Sequence, residues 1–184
     1  MADLAIAVDF VLRQEDSTLA GVVTHTRGDP GGATRWGISE RWHPELVKTG
    51  FYDVSRMSAY NAKTVAERIY VGQYAAPLQL FEINSQMLAN RLLSFAVNEG
   101  PAQAVKIFQR ALEAIVPGYG SGHGGENCVD GVLGVRTLAA LNAADPVELQ
   151  MQVASEEAAF YRSWVAQSPA RQHLLAGLLA RANA

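Results

Sequence analysis

One segment of the chain, residues 19–39, contrasts with the sequence on both sides of it. Its two ends, LAGVVTHT and ATRWGIS, are short and rich in Val, Thr, Ile and Trp, which favour strands. The RGDPGG run between them carries the Gly, Pro and Asp residues that are typical of a tight turn. The segment therefore predicts a β-hairpin at about residues 21–39. Because helix-favouring Ala, Leu, Gln and Glu predominate elsewhere, the expected fold class is α+β and mostly α.

The remaining sequence predicts helices with recognisable start signals. Apolar residues at Leu4, Val8, Val11 and Leu12 follow the spacing of an amphipathic helix, which Asp3 can cap. Further helices are predicted at 59–74, 86–99, 102–116, 134–142, 146–167 and 170–182. Their start signals are capping residues or proline in the first turn, namely Ser58, Ser85, Pro101, Asp145 and Ser168-Pro169. The segments 43–55 and 117–131 are expected to be loops.

Composition excludes several classes of protein. The 184 residues, 49% of them hydrophobic, fit one compact globular unit. The net charge of −3 provides no basic surface for nucleic acid. The single cysteine, Cys128, excludes an internal disulfide. We expect no signal peptide, because the N-terminal segment lacks a basic region and acidic residues interrupt its apolar residues. We expect no membrane span, because no run approaches about 20 apolar residues.

Glu15 holds an unusual position on the first predicted helix. At about 100° per residue it lies about 20° from Val8, in the middle of the apolar stripe. Burial of a carboxyl group raises its pKa, which suits a general acid that works near neutral pH. The alternative is that the helix ends one turn earlier, so that Glu15 is exposed or pairs with a basic residue. Periodicity alone leaves both interpretations open.

The hairpin offers polar partners for such an acid. Inverting glycoside hydrolysis needs an acid on one side of the bond and a group that holds water on the other, with the carboxyl groups roughly 6.5–9.5 Å apart. Asp29 in the turn and Thr34 on the returning strand are the available groups. Each has an ordinary structural explanation as well, because Asp-Pro-Gly-Gly forms turns regardless of function and Thr is common in strands.

Four sequence motifs, in order along the chain, resemble those of the glycoside hydrolase family 108 muramidases. Glu15 followed by DPGGATRWGIS resembles the family's catalytic Glu and its hairpin. The later matches are YDVSRMSAYNAKTVAERIYVGQY, LLSFAVNEGPAQAVKIFQRAL and VDGVLGVRTLAALN. The last of these resembles the motif of the family's C-terminal peptidoglycan-binding-like half. Members of this family resemble phage endolysins and proteins once called secretion-activating.

The resemblance implies a lysozyme-like fold that cleaves the β-1,4 bond between N-acetylmuramic acid and N-acetylglucosamine. It implies that Glu15 is the general acid and that Asp29 and Thr34 orient the attacking water. The expected saccharide-groove residues are Trp36, Tyr70 and Asn98. Core packing for Trp36 and Tyr70, and helix capping for Asn98, remain equally open. The implied parts are a catalytic part at 1–100 and a peptidoglycan-binding-like part at 101–184, packed in the same compact unit.

The chain also departs from the family pattern. After Glu15 it has DSTLAG where the family has Gly-Gly and an aromatic residue, and the distance to DPGG is about five residues longer. Asp16 and Glu99 are rival acids, since Asp16 is adjacent to Glu15 and Glu99 lies on the apolar stripe of its own helix. For Glu99 we favour exposure at the helix end.

The expected function is therefore a muramidase whose partners are peptidoglycan glycan strands. A catalytically inactive wall-binding or secretion-assisting module of the same fold is the alternative. No metal site is expected, because the four histidines and one cysteine lack ligand spacing, and no cofactor is expected. Without a signal peptide, the protein would be made in the cytoplasm and reach the wall in the periplasm or outside the cell through a holin or secretion machinery.

Overall fold

The structure is a computed structural model that describes residues 1–25, 32–120 and 128–183. The chain divides into two units. We call Asp3–Phe81 the N-terminal unit, and Glu82–Ala184 together with Met1–Ala2 the C-terminal unit. The expected fold class is confirmed, because helices predominate and one small antiparallel sheet lies near the N-terminus.

The N-terminal unit begins with helix α1 (Leu4–Glu15). As predicted, the Asp3 carboxylate caps it by accepting hydrogen bonds from the N–H groups of Ala5 and Ile6. Helix α1 buries one face, which includes Val8, Val11 and Leu12. The helix contacts α3 (Ala59–Tyr70). Ser58 caps α3 as predicted. A short helix, α2 (Glu45–Thr49), precedes α3.

The sheet contains three strands, β1 (Thr24–His25), β2 (Ala33–Arg35) and β3 (Ile38–Ser39), in that order. Thr24 pairs with Thr34 across the predicted hairpin. The predicted single strand ATRWGIS is wrong in detail, because Arg35 pairs with Ile38 and a two-residue turn separates β2 from β3. Residues 26–31, between β1 and β2 in sequence, lie outside the described residues.

Three further boundaries differ from the predictions. The segment expected to be a loop at 43–55 contains α2, which ends where Gly50 adopts φ +82° and donates its N–H to carbonyls of the last turn. Helix α3 gives way after Tyr70 to a π-helical turn, Val71–Ala75. The last predicted helix starts as a 3₁₀ segment, Pro169–Leu174.

The C-terminal unit is a helical bundle. Its helices are α4 (Gln86–Glu99), α5 (Pro101–Ile115), α6 (Val135–Ala143), α7 (Pro146–Ala166) and α8 (Leu175–Ala182). Ser85 and Asp145 cap α4 and α7 as predicted, and Pro101 occupies the first turn of α5. Helix α5 packs against both α4 and α7. Its buried residues, such as Ile107, Phe108 and Leu112, supply much of this core.

A buried ion pair joins α4 to α7 in this unit. Arg91 Nε donates to Glu157 Oε1 at 2.9 Å, and Arg91 Nη2 lies 2.7 Å from Glu157 Oε2. The same guanidinium donates to the carbonyls of Arg181 and Ala182 at the end of α8. Both charged side chains are therefore desolvated and held at several atoms, which makes this pair a structural element of the bundle.

Candidate functional site

Glu15 is the last residue of α1, and its side chain is half-buried. The helix therefore does not end a turn early, as the alternative interpretation required. The side-chain methylenes of Glu15 lie against Gly37, because a Cβ on Gly37 would come within 2.8 Å of Glu15 Cγ. The carboxyl group thus lies where the helix end meets the β2–β3 turn.

Asp16, the rival acid next to Glu15, stabilises the loop that follows α1. Its Oδ1 accepts hydrogen bonds from the N–H and the hydroxyl of Thr18 at 3.1 and 2.6 Å. Its Oδ2 accepts from the N–H of Gly21 at 2.7 Å. Burial raises the pKa of Asp16, but these hydrogen bonds outweigh it and hold the pKa below its usual value. An ionised, fully engaged carboxylate suits loop closure better than proton donation.

The β2–β3 turn has an uncommon backbone. Trp36 and Gly37 both adopt positive φ, +53° and +74°. A two-residue hairpin of type I′ requires this at both positions, and a bulky residue rarely accepts it. Tyr70 at the end of α3 donates its hydroxyl to the Trp36 carbonyl at 2.9 Å. The turn beside Glu15 is therefore held from within the unit.

Arg35, on β2, joins three segments around the same turn. Its side chain is 1% exposed. Nε donates to the Gly21 carbonyl at 2.8 Å, and Nη1 donates to the carbonyls of Phe51 and Met57 at 2.8 and 3.0 Å. Burial lowers the pKa of this guanidinium from its usual value. Arg35 thereby fixes the DSTLAG loop against the sheet, a role that the sequence did not indicate.

These elements form a cleft of about 190 Å³. Glu15 and Thr34 line it together, from the helix end and from β2. The DSTLAG loop contributes Asp16 and Thr18 to its wall, and Val22 follows them. The remaining lining residues are Thr24, Trp36 and Gly37. The cleft therefore combines the carboxyl groups of Glu15 and Asp16 with several hydroxyl groups, which suits a polar ligand and proton transfer.

The predicted partners of Glu15 have different outcomes. Thr34 lies in the same cleft, and its carbonyl accepts a long hydrogen bond of 3.4 Å from the Thr24 hydroxyl. Asp29 lies outside the described residues, so its distance from Glu15 stays a prediction. Trp36 lines the cleft but is 2% exposed, and its indole Nε1 has no hydrogen-bond partner within the described part of the chain.

Tyr70 and Asn98 have partners of their own. Tyr70 is 1% exposed, so its buried position favours the packing alternative over stacking on a sugar. Asn98 belongs to the C-terminal unit, where its amide donates to the Ser94 carbonyl at 2.7 Å and its oxygen accepts from Arg181. Glu99, beside it, is half-buried, and this desolvation raises its pKa against the opposing effect of Arg181.

The C-terminal motif VDGVLGVRT forms a hydrogen-bond network around the buried side chain of Gln109 of α5. Gln109 Nε2 donates to Asp130 at 2.7 Å and lies 3.3 Å from the Thr137 hydroxyl, while its Oε1 accepts from the Gly131 N–H at 2.9 Å. The Tyr119 hydroxyl lies 3.0 Å from the Thr137 hydroxyl. These motif side chains therefore stabilise the fold of this unit.

A second cleft, of about 320 Å³, lies within the C-terminal unit. Leu88, Leu141, Ala144 and Pro146 form its apolar part, and Asn84, Ser85 and Asn142 its polar part. No acidic or basic side chain lines it among the described residues. It is larger than the cleft at Glu15, but it has no group that can donate a proton near neutral pH.

The described residues contain no group of three or more His, Cys, Asp or Glu side chains that could hold a metal ion. None of the helices in the described ranges is long and apolar enough to cross a membrane. Cys128 is buried and hydrogen-bonded to Glu113, a bond that, with burial, raises the pKa of the thiol.

Comparison with known proteins gives two family matches. The family described as glycosyl hydrolase 108 matches residues 8–100, and the family described as predicted peptidoglycan domain matches residues 103–183. Helix α4 thus falls in the first match, although its contacts assign it to the C-terminal unit. No curated protein matches the chain.

Among solved structures, the chain is similar to SagA of Brucella abortus. The two chains are 23% identical, the match covers 97% of this chain and 92% of SagA, and the TM-score is 0.57. At this identity the likeness shows a common fold over nearly the whole length.

Proposed function

From the premise that the chain belongs to the glycosyl hydrolase 108 family, we propose that it is an N-acetylmuramidase of bacterial peptidoglycan. The two family matches are to a glycoside hydrolase and to a peptidoglycan domain. The bond that we propose is cleaved is the β-1,4 linkage between N-acetylmuramic acid and N-acetylglucosamine. The proposed general acid is Glu15.

The observation that carries the proposal is the position of Glu15. It ends a helix, is half-buried, and shares a cleft with Thr34 on the facing strand. Asp16, the neighbouring acid, is engaged in loop hydrogen bonds. Glu15 is therefore the carboxyl group of this cleft that is best suited to protonate a leaving oxygen.

In the proposed reaction, Glu15 gives its proton to the glycosidic oxygen as the bond from that oxygen to C1 breaks. Water attacks C1 from the opposite face, which inverts the configuration. The Thr34 hydroxyl can accept a hydrogen bond from that water, and Asp29 is proposed to take its proton. The products are a new reducing end on one fragment and a free hydroxyl on the other, so atoms and charge balance.

The substrate fixes the place of action. Peptidoglycan lies outside the cytoplasmic membrane, so we propose that the protein acts on the wall there after release by a holin or a secretion system. The glycan strand is the proposed partner.

A second candidate is a binding module of the same fold without activity. The burial of Trp36 and Tyr70 favours it, because a groove with both rings hidden has less aromatic surface for stacking on sugars. Such a module would bind purified peptidoglycan without releasing reducing ends.

The test compares wild type with Glu15→Gln on purified peptidoglycan. We expect wild type to release reducing ends at N-acetylmuramic acid, identified by borohydride reduction and mass spectrometry, and the variant to lose about a thousandfold or more in rate. Glu40→Gln is the matched control, because it makes the same change at a residue that does not line this cleft. Full activity of Glu15→Gln would remove Glu15 from the mechanism. Binding without hydrolysis by wild type would favour the module.

A further inference from the structure

Tyr70 makes an unusual connection for a core residue. It is the last residue of α3 and is 1% exposed. Its hydroxyl donates a hydrogen bond to the carbonyl of Trp36, 34 positions earlier in the chain. Burial raises the pKa of this phenol far above its usual value, and the charge of Glu15 adds to the shift. The hydroxyl therefore stays protonated and remains a donor at every pH of interest.

The carbonyl that Tyr70 holds belongs to a strained residue. Trp36 adopts φ +53°, which bulky residues avoid, and such conformations persist only where the surroundings enforce them. Its ring is enclosed on the side of Gly21, because a Cβ on Gly21 would lie 2.7 Å from the indole Nε1. The ring and the carbonyl of Trp36 are thus both fixed, and Tyr70 fixes the carbonyl.

The next residue of the turn, Gly37, contacts both Tyr70 and Glu15. A Cβ placed on Gly37 would collide with the Tyr70 hydroxyl and would come within 2.8 Å of Glu15 Cγ. The hydroxyl and the Glu15 side chain therefore lie against the same side of one glycine. The turn therefore packs directly against the Glu15 side chain.

We infer that Tyr70 is a positioning residue: its hydroxyl holds the Trp36–Gly37 turn, and the turn holds the Glu15 carboxyl in the cleft. This inference rests on the proposed role of Glu15. A positioning role takes the place of the expected role of Tyr70 in lining the saccharide groove, because a ring that is 1% exposed offers no face to a ligand. Small displacements of a catalytic group lower the rate of the chemical step more than they lower binding.

The first experiment measures kcat and KM of Tyr70→Phe on soluble, peptide-free glycan strands. We expect kcat to fall about tenfold while KM stays within about twofold. Tyr74→Phe is the matched control, because its ring lies 6.0 Å from that of Tyr70 and its change also removes one hydroxyl. An unchanged kcat, or a loss confined to KM, would overturn the inference.

The second experiment does not depend on activity. NMR of protein labelled with ¹³C and ¹⁵N compares the Glu15 carboxyl carbon and the Gly37 amide in wild type, Tyr70→Phe and Tyr74→Phe. We expect both resonances to move in Tyr70→Phe and to stay in place in Tyr74→Phe. Unmoved resonances in a folded Tyr70→Phe protein would overturn the inference. If wild type releases no reducing ends, the proposed function fails, and this comparison still decides whether Tyr70 positions Glu15.

Discussion

The two units use their motif residues in opposite ways. In the N-terminal unit, Glu15 and Thr34 face an open cleft. In the C-terminal unit, the buried side chains of Gln109 and Thr137 and the exposed Asp130 bond to one another in a hydrogen-bond network. The clefts of the two units differ as well. Carboxyl groups line the smaller cleft, at Glu15, whereas no acidic or basic side chain lines the larger one among the described residues. The motif residues of the N-terminal unit therefore line a cleft, whereas those of the C-terminal unit stabilise the fold, and the contacts of each side chain distinguish the two.

The largest effect on stability is expected at the buried ion pair of the C-terminal unit. Glu157→Leu leaves the Arg91 guanidinium without its carboxylate, which should cost about 3–5 kcal/mol of unfolding free energy. Glu156→Gln is the control, because its pair with Arg110 at 3.3 Å is partly exposed and should be worth under about 1 kcal/mol. Amide hydrogen exchange in α4 and α7 provides the measurement. Equal losses in the two variants would contradict a structural core at Arg91.

Gln109→Leu tests whether the C-terminal motif serves the fold. The change leaves the Gly131 N–H without its acceptor, and we expect a loss of about 2 kcal/mol in unfolding free energy. Gln103→Leu, on the same helix, should change it by less than about 0.5 kcal/mol. Thermal unfolding and peptidoglycan binding are measured together. Lost binding with unchanged stability would show that the motif contacts ligand, and the contrast between the units would fail.

Gly37→Ala tests the N-terminal unit at its tightest point. The alanine would have to adopt a left-handed backbone conformation, and its methyl group would crowd Glu15. We therefore expect the unfolding free energy to fall by about 1–2 kcal/mol and the hydrolytic rate to fall as well. Gly72→Ala is the control, because nothing lies within 4 Å of a Cβ there. Urea denaturation and reducing-end release would be followed on both variants. Full activity of Gly37→Ala would show that the Trp36–Gly37 turn does not hold Glu15 in position.

The smallest effect is expected at Asp16. Its pKa is held below the ordinary value of 3.8, so the stabilisation of its loop is present above that pH and lost as pH falls through the folded-state value. The protection of the Gly21 N–H against hydrogen exchange should fall in acid in the wild type. In Asp16→Asn it should be lower by under about 1 kcal/mol and independent of pH over that range. Unchanged protection in Asp16→Asn would show that this carboxylate does not close the loop.

Most features that depend on residues adjacent in sequence were predictable, and features that depend on distant residues were not. The starts of α1, α4 and α7 were predictable because a capping side chain and the N–H groups it accepts from are adjacent in sequence. The Trp36–Gly37 turn was missed because tryptophan carries no signal for positive φ, although the following glycine was a hint.

The long-range contacts could not be deduced from spacing. Tyr70 reaches Trp36 across 34 positions, and Gln109 reaches Gly131 across 22. Helical periodicity places a side chain on a face but does not name its partner. The position of Glu15 near the core was therefore predictable, whereas the groups that hold it there were not.

Digestion of peptidoglycan in ¹⁸O-labelled water tests the central claim, hydrolysis at the cleft of Glu15, most directly. We predict that wild type produces N-acetylmuramic acid reducing ends that each carry one ¹⁸O atom, and that Glu15→Gln, equally folded, produces almost none. Unlabelled 1,6-anhydro ends from wild type, or labelled ends from Glu15→Gln at the wild-type rate, would contradict the account.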